Sequence, residues 1–178
     1  MATIPVFRTW TAGEVVTAAY MNSNVRDAGN FFLSWPVFEG LQTVAQSLAN
    51  ATPTGLLIDT NIIDTDGGHS TVTNPSRYTG KTAGRFQLFG GCSFAANGTG
   101  IRLIEYAKNG TTPAGTDVIG YLTAGTSARI CGRLGTYFLN GSTDYLEVLV
   151  YQSAGGALST SVVSAEQPSM SVRMVGIS

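Results

Sequence analysis

Three Asn-Gly steps, Asn97-Gly98, Asn109-Gly110 and Asn140-Gly141, punctuate the middle of this chain, and they constrain the fold more than any other feature. Asn-Gly suits the two-residue type I′ turn, because both central residues need positive φ and the twist of that turn matches the strands it joins. The runs beside these steps alternate at period two, the mark of a half-buried strand. In "GRFQLFGGCSF" the residues Phe86, Leu88, Gly90, Cys92 and Phe94 share one face. In "GIRLIEYAKNG", Ile101, Leu103 and Glu105 alternate with Arg102, Ile104 and Tyr106. The expectation is an all-β chain with hairpins at these steps, the third lying in a longer linker. Strands are expected near 38–46, 55–59, 76–79, 85–95, 100–107, 117–122, 128–139, 144–152 and 169–176. Turn signals about every ten residues indicate a sandwich or barrel rather than βαβ units. The sequence has no internal repeat of the length that propellers and solenoids require. A bulge at Gly90-Gly91 would reverse the alternation there. The polar, turn-rich block "IDTNIIDTDGGHSTVTNPSRYTG", 58–80, is expected to be a long surface loop.

The opening stretch has a different period. Thr11 and Glu14 have capping-box spacing, and Thr17 is a second N-cap candidate. Ala18, Met21, Val25, Ala28 and Phe32 then step 3, 4, 3, 4, an a/d seam two heptads long, with Gly29 and Pro36 as stop signals. So short a helix is marginal in water and must lean on its own domain, on sister copies or on a host structure. This divides the chain into an arm, 1–35, and a β domain, 36–178.

With 178 residues the chain suffices for one packed domain and a small appendage. Charged residues make up 12%, about half of the roughly 25% usual for soluble domains, so much of the surface is expected to be covered by other chains. The net charge of −1 and singly scattered Lys and Arg give no nucleic-acid footprint. No apolar run approaches the ~20 residues of a membrane span, and "MATIPVFRTW" lacks a signal-peptide profile. Cys92 and Cys131 have no metal spacing, and two reduced, buried thiols are expected.

Candidate chemistry is sparse. The single histidine, His69, would have to serve any Ser-His-Asp or Cys-His arrangement, yet no G-x-S-x-G elbow exists, and a solvated loop histidine is the plainer reading. "YTGKT" fails as a phosphate loop because Pro75 stands where the first Gly belongs, and "GTGIRL" fails the dinucleotide pattern at Leu103. Asp59, Asp64 and Asp66, with Asn61 and Gly67-Gly68, are candidate calcium ligands, although the EF-hand spacing is missing and acidic turn residues commonly just cap turns. Apart from calcium no cofactor is expected. Tyr106, Tyr121, Tyr137, Phe138, Tyr145 and Tyr151 form an aromatic set suited to core and subunit-interface packing, with Tyr137 and Tyr151 the interface candidates; a glycan platform is the alternative.

Two resemblances add to this. "GRFQL", with Gly84, Arg85, Phe86 and Leu88, and "DYLEVLVYQ", with Asp144, Leu146, Val148, Val150 and Gln152, are similar in order and spacing to strands of the complement head domain and tumour necrosis factor superfamily. That resemblance implies a jelly-roll sandwich of about ten strands, assembling as a homotrimer about a hydrophobic axis. The opening "RTWTAGEVVTAAYMNSNVRDAGNFF" resembles the start of tail and other virion proteins of actinobacterial tailed phages, through Trp10, Gly13, Glu14, Thr17, Ala18, Met21, Asn22, Arg26 and Asp27. It implies an adaptor that plugs each subunit into a particle, with Trp10, Thr17, Ala18, Met21, Val25, Arg26, Asp27 and Phe32 as anchor or interface residues. The function expected from both is a non-enzymatic structural protein of a virion, assembled in the host cytoplasm. Its partners would be itself and other virion proteins, with no nucleic acid and no membrane. A minor tail or tail-tip component is favoured over a capsid decoration protein. A trimeric head that binds a host-surface glycan or receptor is the remaining alternative.

Overall fold

The structure is a computed structural model that describes residues 4–112, 120–125 (backbone path only), 129–163 and 167–177. It opens with an extended stretch and a helix of three parts: α1 (Ala18–Met21), a π-helical segment (Asn22–Arg26) and α2 (Asp27–Leu33). Thr17 is the N-cap, its Oγ1 accepting from the Tyr20 amide at 3.3 Å. Thr11 and Glu14 do bond reciprocally, but around a turn with Gly13 at φ 83°, and no helix grows from it. Gly29 lies inside α2, and the helix stops at Ser34.

Thirteen strands follow among the described residues. The first sheet has the order β10 (Gly135–Asn140), β6 (Ala83–Ser93), β13 (Ser169–Gly176), β1 (Val37–Leu41), β4 (Thr60–Asp64), with β9 (Arg129–Cys131) also on β6. The second runs β3 (Thr54–Gly55), β11 (Tyr145–Gln152), β7 (Asn97–Lys108), β8 (Gly120–Gly125), with β5 (Arg77–Thr79) on β11. A short ribbon pairs β2 (Ser47–Leu48) with β12 (Leu158–Ser159). Every pairing is antiparallel. Residues 117–119 of the strand expected near 117–122 lie outside the described residues.

The alternation builds the core. Phe38, Phe86, Leu88, Met170 and Val172 of one sheet and Ile104, Leu146, Val148 and Val150 of the other are wholly or almost wholly buried. Burial of each such side chain contributes about 1.5–3 kcal/mol. Tyr106 locks the sheets together: its hydroxyl donates to Gly90 O at 3.1 Å and accepts from Gly90 N at 2.6 Å. Only a glycine fits at position 90, where a Cβ would stand 2.5 Å from Val148.

The turns come out differently from the hairpin expectation. Asn109-Gly110 has the positive φ pair of a type I′ turn, 54° and 73°, and Lys108 and Thr111 exchange backbone bonds around it. The other two steps carry the chain from one sheet to the other. Asn97 already begins β7, and its side chain caps the Thr99 amide. Asn140 Oδ1 accepts from the amides of Ser142, Thr143 and Asp144, closing a loop between β10 and β11. In a jelly roll consecutive strands often belong to opposite sheets, so a turn signal need not join paired strands. No register shift occurs at Gly90-Gly91; among the described residues the irregularities lie at Glu39/Gly40, Asn97/Ile101 and Met174/Gly176.

The block 58–80 is not a surface loop. It contains β4 and β5, and buries Asp66, His69 and Tyr78, because its polar groups bond to each other and to the backbone. Cys131 is exposed and only Cys92 is buried, since Ile130 takes the inward position of β9. Among the described residues no helix is long and apolar enough to cross a membrane.

Candidate functional site

The arm folds back on itself before it meets the body. The Arg8 guanidinium lies over the Tyr20 ring at 4.0 Å and the Trp10 ring at 5.2 Å, and pairs with Glu14. Bonds from Thr11 hold the Glu14 carboxyl below its usual value, with Arg8 adding to this against a smaller desolvation. Phe7 stacks on Phe32 at 6.4 Å, and Phe32 on Trp35 at 6.1 Å. Trp35 fixes the junction: its Nε1 donates to Met174 O, and its carbonyl accepts from Thr65 Oγ1 at 2.7 Å. An open groove of about 660 Å³ runs between Ile4–Val6 and the helix face carrying Asn24, Asp27 and Phe31.

The heptad seam does not persist through this helix. Ala28 and Phe31 turn inward, whereas Ala18, Met21, Val25 and Phe32 face solvent, Phe32 being 55% exposed. The π-helical segment turns α2 against α1, so Ala18 and Met21 fall off the line of Ala28. Within α2 the inward stripe runs through Ala28 and Phe31 and leaves Phe32 outside. Arg26 and Asp27 pair with each other at 2.8 Å, both half-exposed. Trp10 is 41% exposed. The arm therefore presents the anchor residues singled out in the sequence mostly to the outside.

On the body, the outward face of the first sheet carries exposed Phe89, Leu134, Phe138 and Val175. Ser171 lies between Phe89 and Glu39, and Arg173 between Gln87 and Val37, so the face mixes apolar and polar residues. Tyr137 points the other way: it is 8% exposed and packs over Gly135, leaving little surface for a neighbouring subunit. Tyr151 is half-buried opposite Leu103, and Tyr145 lies under Arg77 at 4.2 Å. The side chain of Tyr121 lies outside the described residues.

The three aspartates do not converge. Asp59 accepts from Thr43 N, Thr43 Oγ1, Val44 N and Thr60 Oγ1, all within 2.9 Å. Desolvation opposes its ionisation, yet these donors outweigh it and hold the carboxyl below its usual value. Asp64 accepts from the amides of Gly68 and His69, and buried Asp66 from Lys81 N, Thr82 N and Thr82 Oγ1. Each is engaged at a different turn, and among the described residues no group of three His, Cys, Asp or Glu is placed to hold a metal.

His69 is not a solvated loop residue. It is 8% exposed and stacks on Phe38 at 4.6 Å. Its Nδ1 faces Asn61 Oδ1 at 2.8 Å and its Nε2 faces Pro75 O at 3.1 Å. Neither partner is a nucleophile, and burial pushes the imidazole below its ordinary value. The residues that sequence reasoning missed are inward-facing polar ones. Gln42 Nε2 bonds Gln46 Oε1 and Leu57 O, while Thr160 Oγ1 donates to Gln42 Oε1 at 2.5 Å. Arg102, facing inward in β7, bonds the carbonyls of Asn97, Thr99 and Ile101. Its position in the alternating run, on the face of Ile104 and Tyr106, was the available signal.

No protein-family model matches the sequence, and no curated protein matches it either. Solved structures do. Murine APRIL at pH 8.0 superposes with a TM-score of 0.56 at 12% identity, covering 78% of this chain and 98% of that one. Eiger TNF from S. frugiperda gives 0.52 at 9% identity, covering 81% and 94%. The body is a jelly roll, similar in fold to these solved structures. The strands read as superfamily motifs take their places in this jelly roll: Phe86 and Leu88 point inward from β6, and Leu146, Val148, Val150 and Gln152 from β11. At these identities the likeness is one of fold.

Proposed function

We propose that this chain is a non-enzymatic structural subunit of a tailed-phage virion, a homotrimeric jelly roll held to the particle by its N-terminal arm, in the place of a minor tail or tail-tip component. The observation that carries this reading is the arm's composition of surface. Val6, Phe7, Val15, Met21, Val25 and Leu33 are exposed there, with only Ala28 and Phe31 buried in α2. Exposed apolar residues concentrated on one appendage mark a surface built to be covered. The same stretch carries the resemblance to phage virion proteins. The trimer reading draws on the superfamily likeness and on the outward face of the first sheet, where Phe89, Leu134, Phe138 and Val175 offer apolar surface without Tyr137. A closed three-fold assembly buries such a heterologous patch on every copy at once. A head-surface protein would use the same two surfaces at a three-fold point of a shell.

The test is light scattering on the full chain beside a chain beginning at Trp35. Trimers in both cases are expected, with the shortened chain alone failing to sediment with the phage particles. A trimer only for the full chain would make the arm a collar and move docking elsewhere. Monomers in both would remove the trimeric reading.

A further inference from the structure

The connection between β4 and β5 and the turn after β5 enclose a polar niche of about 240 Å³, separate from the arm and from the outward face of the first sheet. Arg77, Lys81, Ser70, Thr73, Asn74 and Thr79 line it. Their hydrogen-bonding state is one-sided. Lys81 Nζ has no ion-pair or hydrogen-bond partner among the described residues, and its main-chain amide is tied down by Asp66 at 2.9 Å. Arg77 commits only Nε to Glu147, at 3.2 Å, while its ring partner Tyr145 keeps the guanidinium plane fixed at 4.2 Å. Its two terminal nitrogens are left with donors to spare. Ser70 Oγ accepts from the amides of Val72 and Thr73, which leaves its hydroxyl proton as a donor. Two carbonyls beside these donors already accept from the main chain: Gly68 O from Thr79 N at 2.8 Å, and Asn74 O from Arg77 N at 2.9 Å. The nearby carboxylates are engaged too, Asp64 with Gly68 N and His69 N, and Glu147 with Ser76 and Arg77.

We infer that this niche binds a compact oxyanion, a phosphate or carboxylate group carried by a polyol phosphate or an acidic sugar. The chemistry is that of complementarity. A cleft with two cations and several hydroxyl and amide donors offers donors to a group made of acceptors. A guanidinium presents a fork that suits two oxygens of one anion, and an ammonium adds a point charge. Two of the chain's ten Lys and Arg residues meet in this one cleft of a protein that is otherwise poor in charge. The volume admits one small group rather than a chain of them. The site does not depend on the virion reading or on trimer formation, so the two can fail separately.

Titration calorimetry on the full chain tests it, with inorganic phosphate and with glucuronate, each against sodium chloride at matched ionic strength. Saturable binding of phosphate points to phosphoryl carriers, and of glucuronate to acidic sugars; either result supports the site. Lys81→Gln should weaken binding at least tenfold and Lys81→Arg should retain most of it. The Lys81 amide bond to Asp66 is unchanged in both variants. Thr73→Ala, in an exposed part of the loop, should weaken binding severalfold and guards against a folding defect at position 81. Binding no stronger than in chloride, or equal binding by the wild type and Lys81→Gln, overturns the proposal.

Discussion

In the body, Phe38, Phe86, Tyr106 and Leu146 have no exposed surface, and even the carboxylates of Asp59 and Asp66 are enclosed by donors. In the arm, Val15, Met21, Val25, Phe32 and Leu33 lie open, and the helix is held by an N-cap, a few stacked rings and the Trp35 junction. Composition does not separate the two regions, since both are rich in apolar residues. They differ in whether a second layer faces them. A sheet finds its partner layer within the chain, whereas a single short helix cannot bury more than one stripe. The arm is left open along most of its length, whereas the body closes its interior between two sheets and leaves apolar side chains such as Phe89 and Phe138 only on its outside.

The largest effect should come from breaking the body. Phe38→Ala removes a ring stacked between His69 and Tyr78 and should cost about 3–5 kcal/mol, as large-to-small core changes do. The same truncation in the arm, Phe32→Ala, should leave the thermal midpoint of the isolated chain nearly unchanged. Denaturant unfolding of both variants checks the pair; equal losses would mean that Phe32 is as much a part of the packed core as Phe38.

Next is Tyr106→Phe, which deletes the hydroxyl that accepts from the buried Gly90 amide, while Gly90 O keeps its bond from Gly132 N at 2.9 Å. A loss of about 1–3 kcal/mol is expected from the amide left without that acceptor, read from the shift in urea midpoint.

A smaller effect is a pH dependence confined to the body. The folded-state value of His69 lies below the ordinary 6.5, burial being the main cause, so the unfolded chain takes up that proton first. The contribution is present in full above about 6.5 and is lost as the pH falls through the lower folded value. Unfolding free energies measured between pH 7.5 and 5 should decline, and His69→Asn should flatten that decline after correction for its own stability cost. The arm lacks a histidine, so its helical signal should not follow the same curve.

The smallest is Thr17→Ala. Loss of the N-cap should destabilise the helix by about 0.5–2 kcal/mol, seen as lower helicity in circular dichroism with the sheet transition unmoved. A fall in the body's midpoint would mean that arm and body unfold together.

Much of this was legible beforehand. The period-two runs located β6, β7 and β11 and the shared inward face of β6, and Thr17 is a cap as its position suggests. The polar block 58–80 misled because its burial rests on side chains meeting distant amides, as Asp66 does with Lys81 and Thr82 and Asp59 with Thr43 and Val44. Spacing cannot show that an acidic turn residue will be consumed in this way. The Asn-Gly steps misled at two positions for a related reason: the signal gives a local reversal, not the sheet in which the next strand finds its partner.

The features written into the chain locally are few. Alternation decides which side of a strand is apolar, Asn109-Gly110 decides a tight turn, and Thr17 decides a helix start. These depend on residues within a few positions of one another. The division of the strands between two sheets, the closing of Tyr106 on Gly90, the enclosure of His69 and the niche that brings Arg77 and Lys81 together were decided by the tertiary structure. Each of these depends on groups far apart in the chain, brought together only when burying the two apolar sheet faces against each other outweighs the entropy of ordering them.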